Sequence, residues 1–252
     1  MIRLAVITNP RPVGCVSIDR TISDMFRKDK SVAECEVKVF SDSLEPPELG
    51  RAIQTECRRP DELLMIGELN RSGCCVCSTN YVRALEWASD CDEASFVFED
   101  DCFFAQDWLK KTMDCAAAVS QDSRCSSPNC WMLCLSHLYG HADTNQQFEK
   151  TKITVGDRRI LFPSKFYRGN GSQAMAFSPR VAVDTAEDIR TGMAGPYFKM
   201  WGHPDVAVYL SAVARGHAFF AIDGCLIDHM NLHSTWQVGR SVDNGRTRRF
   251  MP

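Results

Sequence analysis

The sequence lacks an apolar run long enough to span a membrane. None of its 252 residues belongs to a stretch approaching the roughly 20 consecutive apolar residues that a transmembrane helix needs. The opening segment, Met1–Thr8, is too short for a signal peptide and instead predicts a first β-strand. We therefore expect a soluble protein that is cytoplasmic by default.

An excess of positive charge is also lacking. The formal net charge is −3, so the chain has no global basic field of the kind that non-specific nucleic-acid binding uses. One basic cluster lies near the end of the sequence. A solvated tail is the simpler interpretation of it, and contact with phosphate is the alternative. The cluster consists of Arg240, Arg246, Arg248 and Arg249.

Cysteine, by contrast, is abundant. The sequence has 13 cysteines, and because no export signal is seen, we expect most of them to be reduced thiols. The best candidate for zinc binding is Cys125-x4-Cys130-x3-Cys134, followed by His137 and His141. This spacing fits structural zinc sites only loosely. Cys134 also lies inside an apolar segment, where a small buried thiol is the ordinary interpretation.

The first half of the chain alternates between strand patterns and helix patterns. A composition of 44% hydrophobic and 24% charged residues fits an ordinary globular protein. The βαβα order predicts an α/β/α sandwich with a mainly parallel central sheet, built as one domain over residues 1–252. The predicted strands are Leu4–Thr8, Glu36–Phe40, Leu63–Ile66 and Phe96–Phe98, and the predicted helices are Ile18–Phe26, a helix capped by Ser78–Asn80, and Trp108–Ala117.

The second half is less regular. Strands are predicted at Trp131–Leu135, Gln173–Phe177 and Phe219–Ile222, and residues 137–160 are expected to form a loop or a hairpin. Pro204 is placed to begin a helix that a glycine, Gly216, ends.

An acidic triplet is the most informative motif. Glu99, Asp100 and Asp101 directly follow the apolar segment Phe96–Phe98. Acidic side chains are rarely buried without a partner, and three of them repel one another unless a cation gathers them. Carboxylate oxygens suit Mg²⁺ or Mn²⁺, which commonly bridge phosphates. Because open α/β sheets bind ligands outside the carboxyl ends of their strands, the triplet predicts a metal–diphosphate site. A solvated acidic turn is the alternative.

The end of the first strand is the second candidate region. Thr8, Asn9 and Arg11 follow one another there. If the first and fourth strands are neighbours, a nucleotide would lie across both, and Asn9, Arg11 and Arg20 would face its base, ribose or diphosphate. The alternative is a turn built by the Asn-Pro and Arg-Pro pairs, with exposed arginines.

The triplet also carries a resemblance to a known family. The sequence Phe-Glu-Asp-Asp at Phe98–Asp101, followed by Gln106–Leu109, resembles the metal-binding segment of GT-A glycosyltransferases. The nearer likeness is to the family 25 type of lipopolysaccharide and collagen glycosyltransferases. Further similar segments occur in the family's order, and together they span roughly residues 1–236. They are Asn80–Trp87, Gly171–Ser178, His203–Asp205, and Leu226–His229 with Ser234–Thr235.

The resemblance implies a fold, an activity and substrates. It implies a GT-A-like domain whose residues 1–120 bind the nucleotide sugar and whose residues 121–252 face the acceptor. The implied activity is metal-dependent transfer of a sugar, with inversion, from a UDP- or GDP-sugar to an acceptor hydroxyl. The implied cofactor is Mn²⁺ or Mg²⁺, and the acceptor would be a saccharide, a lipopolysaccharide, a protein or a modified DNA base.

The resemblance also implies roles for individual residues. Asp205 is the expected general base, because inverting transfer needs a carboxylate that takes the acceptor's proton, and Asp228 is the alternative base. Asp101 and Asp100 are the expected metal ligands, with His229 and His233 as closing ligands. The residues expected to contact the donor are Thr8, Asn9, Arg11, Asn80, Arg83, Glu99 and Asp100.

Two other kinds of transferase remain open at the level of sequence. A viral enzyme that glycosylates hydroxymethylated DNA bases would use the basic end of the chain, and salt-sensitive DNA binding would reveal it. A nucleotidyltransferase shares the parallel sheet and the acidic metal site, but it usually carries a Gly-rich basic loop after the first strand. Val13–Gly14 is too sparse for such a loop. A non-enzymatic binding module is disfavoured, because no packing need explains the acidic triplet.

Overall fold

The structure is a computed structural model that describes six segments of the chain. They are residues 1–8, 18–58, 75–136, 148–164, 173–193 and 204–229, and only the backbone is described for residues 75–78, 193, 205 and 229. Asn9, Arg11, His233 and the predicted strand Leu63–Ile66 therefore lie outside the described residues.

The described chain alternates helices and strands. The helices are α1 (Ile18–Lys28), a 3₁₀ helix (Lys30–Glu34), α2 (Cys75–Ser89), α3 (Trp108–Val119), α4 (Pro179–Met193) and α5 (Pro204–Arg215). The strands are β1 (Arg3–Thr8), β2 (Glu36–Ser41), β3 (Gln54–Cys57), β4 (Ser95–Glu99), β5 (Cys102–Phe104), β6 (Trp131–Cys134), β7 (Phe148–Val155), β8 (Arg158–Pro163), β9 (Ala174–Phe177), β10 (Ala218–Ile222) and β11 (Ile227–His229). None of the described helices is both long enough and apolar enough to cross a bilayer.

A nine-stranded sheet in the order β3-β2-β1-β4-β9-β6-β10-β8-β7 forms the centre of the described fold. Strands β3, β2, β1 and β4 are mutually parallel, and β6 is parallel to β10. The pairings of β9 with β4 and β6, and of β8 with β10 and β7, are antiparallel. All the strands of this sheet except β8 and β9 consequently run in the same direction. The predicted α/β class is confirmed, and the sheet that was predicted to be mainly parallel is mixed, with four parallel and four antiparallel pairings among the described strands.

Helices cover both faces of the sheet. One core packs α1 and α3 against the face that carries Leu4, Val6, Phe96 and Phe98. The other core packs α2, α4 and α5 against the face that carries Val97 and the neighbouring alternate residues. Successive residues of a strand point to opposite faces. Membership of a strand residue in one core or the other therefore shows which face of the sheet its side chain lies on.

Aromatic rings pack together in the core of the first face at the point where β4 leads into β5. The ring of Trp108 lies 5.4 Å from that of Phe98 and 4.9 Å from that of Phe104, measured between centroids. The carboxylate of Asp29 accepts hydrogen bonds from the backbone N–H groups of Leu109 and Lys110, at 2.9 and 3.2 Å. Asp29 thus satisfies free N–H donors at the start of α3, and it anchors the helix that supports the acidic turn.

Several predictions of secondary structure are confirmed, and others are wrong. Residues 137–160 contain part of a hairpin, because β7 pairs with β8 across a turn at Gly156 with a φ of +59°. The segment Ser78–Asn80 does not cap a helix, since α2 already begins at Cys75. Neither β3 nor α4 was expected. The strand Gln54–Cys57 is short and half-exposed, so its pattern is weak.

Candidate functional site

The site lies at the edge of the sheet where the parallel strands end. Strands β1, β2, β3, β4 and β6 all finish there, and antiparallel β9 begins there. Helices α2 and α5 start at the same edge, because each leads to a strand that begins at the opposite edge. The neighbouring positions of β1 and β4, on which the nucleotide prediction depended, are confirmed by their parallel register from Arg3↔Ser95 to Ile7↔Glu99.

The acidic triplet is a tight, buried turn. Glu99 is the last residue of β4, and Asp100 and Asp101 form the turn into β5. Asp100 is 3% exposed and Asp101 is 1% exposed, whereas Glu99 is half-buried. Burying an ionised carboxylate is costly unless it is paired or coordinates a metal. Burial of two of the three acids therefore excludes the simple solvated turn that the sequence left open.

Two threonines hold Asp100 in place. The hydroxyl of Thr8, at the end of β1, donates a hydrogen bond to the Asp100 carboxylate at 2.5 Å. The hydroxyl of Thr21, on α1, donates to the backbone carbonyl of Asp100 at 2.6 Å. Both threonines are buried. Thr8 was predicted to contact the donor, and the structure brings it directly to the triplet. Thr21 was not predicted, because its spacing on α1 gives no sign of the site.

The turn creates a region of negative potential. Burial raises the pKa of the Cys102 thiol well above its usual range. The charges of Asp101, Glu99 and Asp100 raise it further, in that order. A nearby negative charge disfavours a thiolate, so each of the three carboxylates lies close enough to Cys102 to oppose its ionisation. A cation at the turn would be stabilised by the same potential.

The closing segment returns to the turn as expected. Strand β11 pairs antiparallel with β5, so His229 lies opposite Cys102 and Asp228 lies opposite Phe103. Directly opposed side chains share one face, which places half-buried Asp228 beside Phe103. The guanidinium of Arg20 lies over the Phe103 ring, 4.7 Å from its centroid. The His229 backbone is thus one position from Asp101, and its side chain lies outside the described residues.

The protein ligands for a metal can be tested against this geometry. Among the described side chains, no group of three or more His, Cys, Asp or Glu residues is arranged to hold a metal ion. Mg²⁺ ordinarily takes one or two carboxylates and completes its shell with water and substrate phosphates. Asp100 and Asp101 fit that smaller requirement. Their role as metal ligands stays a prediction.

Asn80 and Arg83 lie near the ends of β2 and β3. Asn80 is buried, and its side-chain amide donates to the carbonyl of Phe40 at 2.8 Å. Arg83 bonds to the Glu56 carboxylate at 2.9 Å and to the Cys57 carbonyl at 3.1 Å. These contacts engage Arg83 inside the fold, and its contact with a donor stays a prediction.

The carboxylate of Glu56 connects Arg83 to a second cation. Lys38 donates to it at 2.6 Å. Burial raises the pKa of Glu56, but the hydrogen bonds from Lys38 and Arg83 outweigh that effect, so the pKa lies below its ordinary value. The group is therefore held ionised, as an anchor between β2, β3 and α2.

The sequence did not reveal a buried ion pair at the same edge. Arg58, directly after β3, bonds to the carboxylate of Asp42, directly after β2, and both side chains are almost fully buried. The Asp42 backbone N–H donates to the Thr8 carbonyl at 3.0 Å. The pair therefore adjoins the threonine that holds Asp100. Had the strand Gln54–Cys57 been predicted, Arg58 would have been expected at the carboxyl edge of the sheet.

Asp205 lies on the other side of the sheet from Asp100. It is the second residue of α5, a helix that belongs to the core shared with α2 and α4. The helix begins at Pro204 and is followed by Gly216 with a φ of +68°, as predicted. The backbone places Asp205 at the carboxyl edge, and its side chain lies outside the described residues. Its role as a base stays a prediction.

Comparisons with known proteins add little to this geometry. No protein-family profile matches the sequence, and no curated protein matches it. Among solved structures, the chain is similar to the crystal structure of mouse xyloside xylosyltransferase 1 in its apo form, with a TM-score of 0.45 and 12% identity. That match covers 86% of this chain and 84% of the other. A likeness at this level carries no argument about the site.

Proposed function

We propose that this chain is a metal-dependent glycosyltransferase. It would transfer a sugar, with inversion, from a UDP- or GDP-sugar to an acceptor hydroxyl. The observation that carries the proposal is the buried acidic turn at the carboxyl end of β4, held by Thr8 at the end of the neighbouring β1. The sequence resemblance to GT-A glycosyltransferases supports the same chemistry.

The turn supplies the features that a diphosphate–metal group requires. When bound, Mn²⁺ or Mg²⁺ would offset the negative charge of the departing nucleoside diphosphate. Asp100 and Asp101 are the residues that would hold it. Thr8 and Thr21 keep Asp100 at a fixed position through hydrogen bonds to its side chain and its backbone. Such fixed groups stabilise developing charge without having to reorganise during the reaction.

The base would act from the other side of the edge. Asp205, at the start of α5, lies on the face opposite to the one that carries Thr8 and Asp100. The helix dipole holds an acid in the first turn of a helix in its ionised form. This weakens Asp205 as a base, but only the ionised carboxylate can accept a proton from the acceptor hydroxyl. Asp228 is the alternative base, and it lies opposite Phe103 in the strand that follows the acidic turn.

A thermal-shift panel of nucleotide sugars, measured with and without Mn²⁺, tests the proposal. A donor at about 100 times its Kd would stabilise the fold by about 2.7 kcal/mol. For a chain of this size that is a rise in Tm of about 5–10 °C. We expect this rise only when donor and Mn²⁺ are both present.

The variant Asp101→Ala identifies the metal ligand. We expect it to fold and to lose the Mn²⁺-dependent part of the donor shift. Asp114→Asn is the matched control, because Asp114 is exposed on α3 and pairs with Lys110 at 3.0 Å, away from the turn. It should keep the full shift. Donor binding by Asp101→Ala at the level of the control would reject the metal assignment. A response to nucleoside triphosphates alone would favour a nucleotidyltransferase instead.

A further inference from the structure

Two side chains fix helix α1 beside the acidic turn. The Thr21 hydroxyl donates to the Asp100 carbonyl at 2.6 Å. The Asp24 carboxylate, 5% exposed, accepts from the Phe104 backbone N–H at 2.8 Å. Thr21 and Asp24 are three residues apart, so they lie on the same side of the helix. The first turn of α1 consequently lies at the carboxyl edge of the sheet, next to the residues that would hold the metal.

Arg20, directly before Thr21, is an exposed cation at this place. Its guanidinium lies over the ring of Phe103, 4.7 Å from the centroid. Phe103 is half-buried, whereas both of its neighbours in β5 are fully buried, so its ring lies on the outer face of that strand. Phe103 is two residues from Asp101, which is about 7 Å along an extended chain. Because Arg20 is exposed, a ligand at the turn would reach its guanidinium from solvent and would need no internal cavity.

The position of Arg20 runs against the helix dipole. Cations are stabilised in the last turn of a helix and repelled by the positive end at its first turn. Elsewhere α1 follows this rule, with Asp19 in its first turn and Arg27 and Lys28 in its last. Among the residues that the structure describes, no carboxylate lies within ion-pair distance of the Arg20 guanidinium, including that of Asp228 opposite Phe103. Arg20 is therefore a cation that neither its helix nor a described carboxylate stabilises, and an anionic ligand would do so.

The charge of the site indicates which anion this would be. Glu99, Asp100 and Asp101 place three carboxylates at the turn, and a nucleoside diphosphate bound there would add its own negative charge. One divalent ion does not offset this total, so a further cation would stabilise the diphosphate as it departs. A guanidinium suits that role, because its N–H donors lie in one plane and match two phosphate oxygens. Stacking over a ring does not use those in-plane donors.

We propose that Arg20 binds the diphosphate of the donor and that the Phe103 ring positions Arg20 for this contact. The inference rests on the proposed function and deepens it by naming a protein cation that acts on the leaving group. In the transfer, the bond between the anomeric carbon and the diphosphate oxygen breaks, and its electron pair stays on that oxygen. The acceptor oxygen forms the new bond to the anomeric carbon, and its proton passes to the base. Arg20 keeps its protons throughout and stabilises the charge of the departing diphosphate.

The variants Arg20→Gln and Arg20→Lys test the contact. Binding of UDP and GDP is measured by calorimetry in the presence of Mn²⁺. For the diphosphate that the wild type binds better, we expect Arg20→Gln to raise the Kd about tenfold, the loss of one hydrogen bond to a charged group. Arg20→Lys keeps the charge and loses the planar fork, so its Kd should lie between those of the wild type and Arg20→Gln.

The variant Phe103→Leu tests the positioning role of the ring. It keeps an apolar side chain and the charge of Arg20, and it removes the aromatic face on which the guanidinium lies. We expect the Kd of the same diphosphate to rise about two- to fivefold, the contribution of one exposed cation–π contact. An unchanged Kd would overturn the positioning role of Phe103.

Arg51→Gln is the matched control. Arg51 is also exposed, and its guanidinium lies over the ring of Phe26 on the same helix, 4.5 Å from the centroid. Phe26 is six residues along α1 from Arg20, or about 9 Å farther from the acidic turn. The two arginines thus make the same kind of contact at different distances from the site. We expect Arg51→Gln to leave each Kd unchanged, and the Tm of Arg20→Gln to fall no further than that of Arg51→Gln.

The other outcomes overturn the inference in distinguishable ways. A wild-type Kd in Arg20→Gln, with Mn²⁺-dependent binding intact, removes Arg20 from the diphosphate site and leaves the proposed function standing. An equal rise in Kd for Arg51→Gln shows a general effect of surface charge and overturns the assignment to Arg20. A Kd for Arg20→Lys equal to that of Arg20→Gln shows that charge at this position does not act on the diphosphate. Failure of the wild type to bind UDP or GDP with Mn²⁺ removes both proposals together.

Discussion

The hydrogen bond between Thr8 and Asp100 is the most direct test of the site. Thr8→Val keeps the β-branched shape that suits the end of a strand and removes only the hydroxyl donor. The Asp100 carboxylate, 3% exposed, would lose the bond that it accepts at 2.5 Å. Water has poor access to a group buried to that degree, so little of the loss would be recovered.

The magnitude follows from the charge of the acceptor. A hydrogen bond to an ionised group contributes about 1.5–3 kcal/mol, whereas a neutral one contributes about 0.5–1.5 kcal/mol. Thr21→Val is the matched control, because its hydroxyl donates at 2.6 Å to the neutral backbone carbonyl of the same residue, Asp100. We therefore expect Thr8→Val to cost about 1.5–3 kcal/mol and Thr21→Val to cost about half as much.

Urea unfolding in the presence of a chelator measures both costs. Equal slopes of free energy against urea would show that the two variants and the wild type unfold between comparable states. In thermal scans the Thr8→Val loss corresponds to about 3–12 °C in Tm. A Thr8→Val cost no larger than that of Thr21→Val would refute the claim that Thr8 donates to a buried, ionised carboxylate.

Two further predictions concern catalysis and pH. Asp205→Asn should keep the Mn²⁺-dependent donor shift and lose transfer; unchanged turnover, with activity instead lost in Asp228→Asn, would reassign the base. Burial raises the pKa of the Cys115 thiol from its ordinary value of 9.0 to about 12. The folded state therefore holds this proton more tightly than the unfolded state. The contribution of the protonated thiol to the free energy of unfolding is fully present below about pH 9 and is lost as the pH rises toward 12. The free energy of unfolding should fall more steeply above pH 9 in the wild type than in Cys115→Ala, by up to about 1.4 kcal/mol per pH unit. Parallel curves of unfolding free energy against pH for the wild type and Cys115→Ala would contradict this prediction.

The sequence predicted the part of the site that is contiguous along the chain. The strand before the acidic triplet, the helix around Trp108 and the start of α5 at Pro204 were all expected, and the structure confirms them. Each is marked by a local signal: an apolar run, helical spacing, or proline at a first helical turn. The burial of Asp100 was not decided by this logic, because the sequence left a solvated acidic turn open and only the structure shows Asp100 to be 3% exposed.

Residues that join the site from separate elements were not predictable in this way. Arg58 follows a short, half-exposed strand whose pattern is weak, so its pairing with Asp42 had no local signal. Thr21 lies on the buried face of α1, where a threonine is indistinguishable from other packed residues. Both take part because strand order brings β1, β2, β3 and β4 together.

What the amino-acid sequence determined by itself is therefore the class of fold and the acidic chemistry at the end of one strand. The tertiary structure alone decided which residues stand around that chemistry and on which face. Periodicity and acid clusters act over a few neighbouring residues, whereas the contact between Thr8 and Asp100 depends on the register between β1 and β4, which are far apart in the chain. Register is specified by burial of a sheet face, because a slip of one residue would turn every buried side chain to the opposite side.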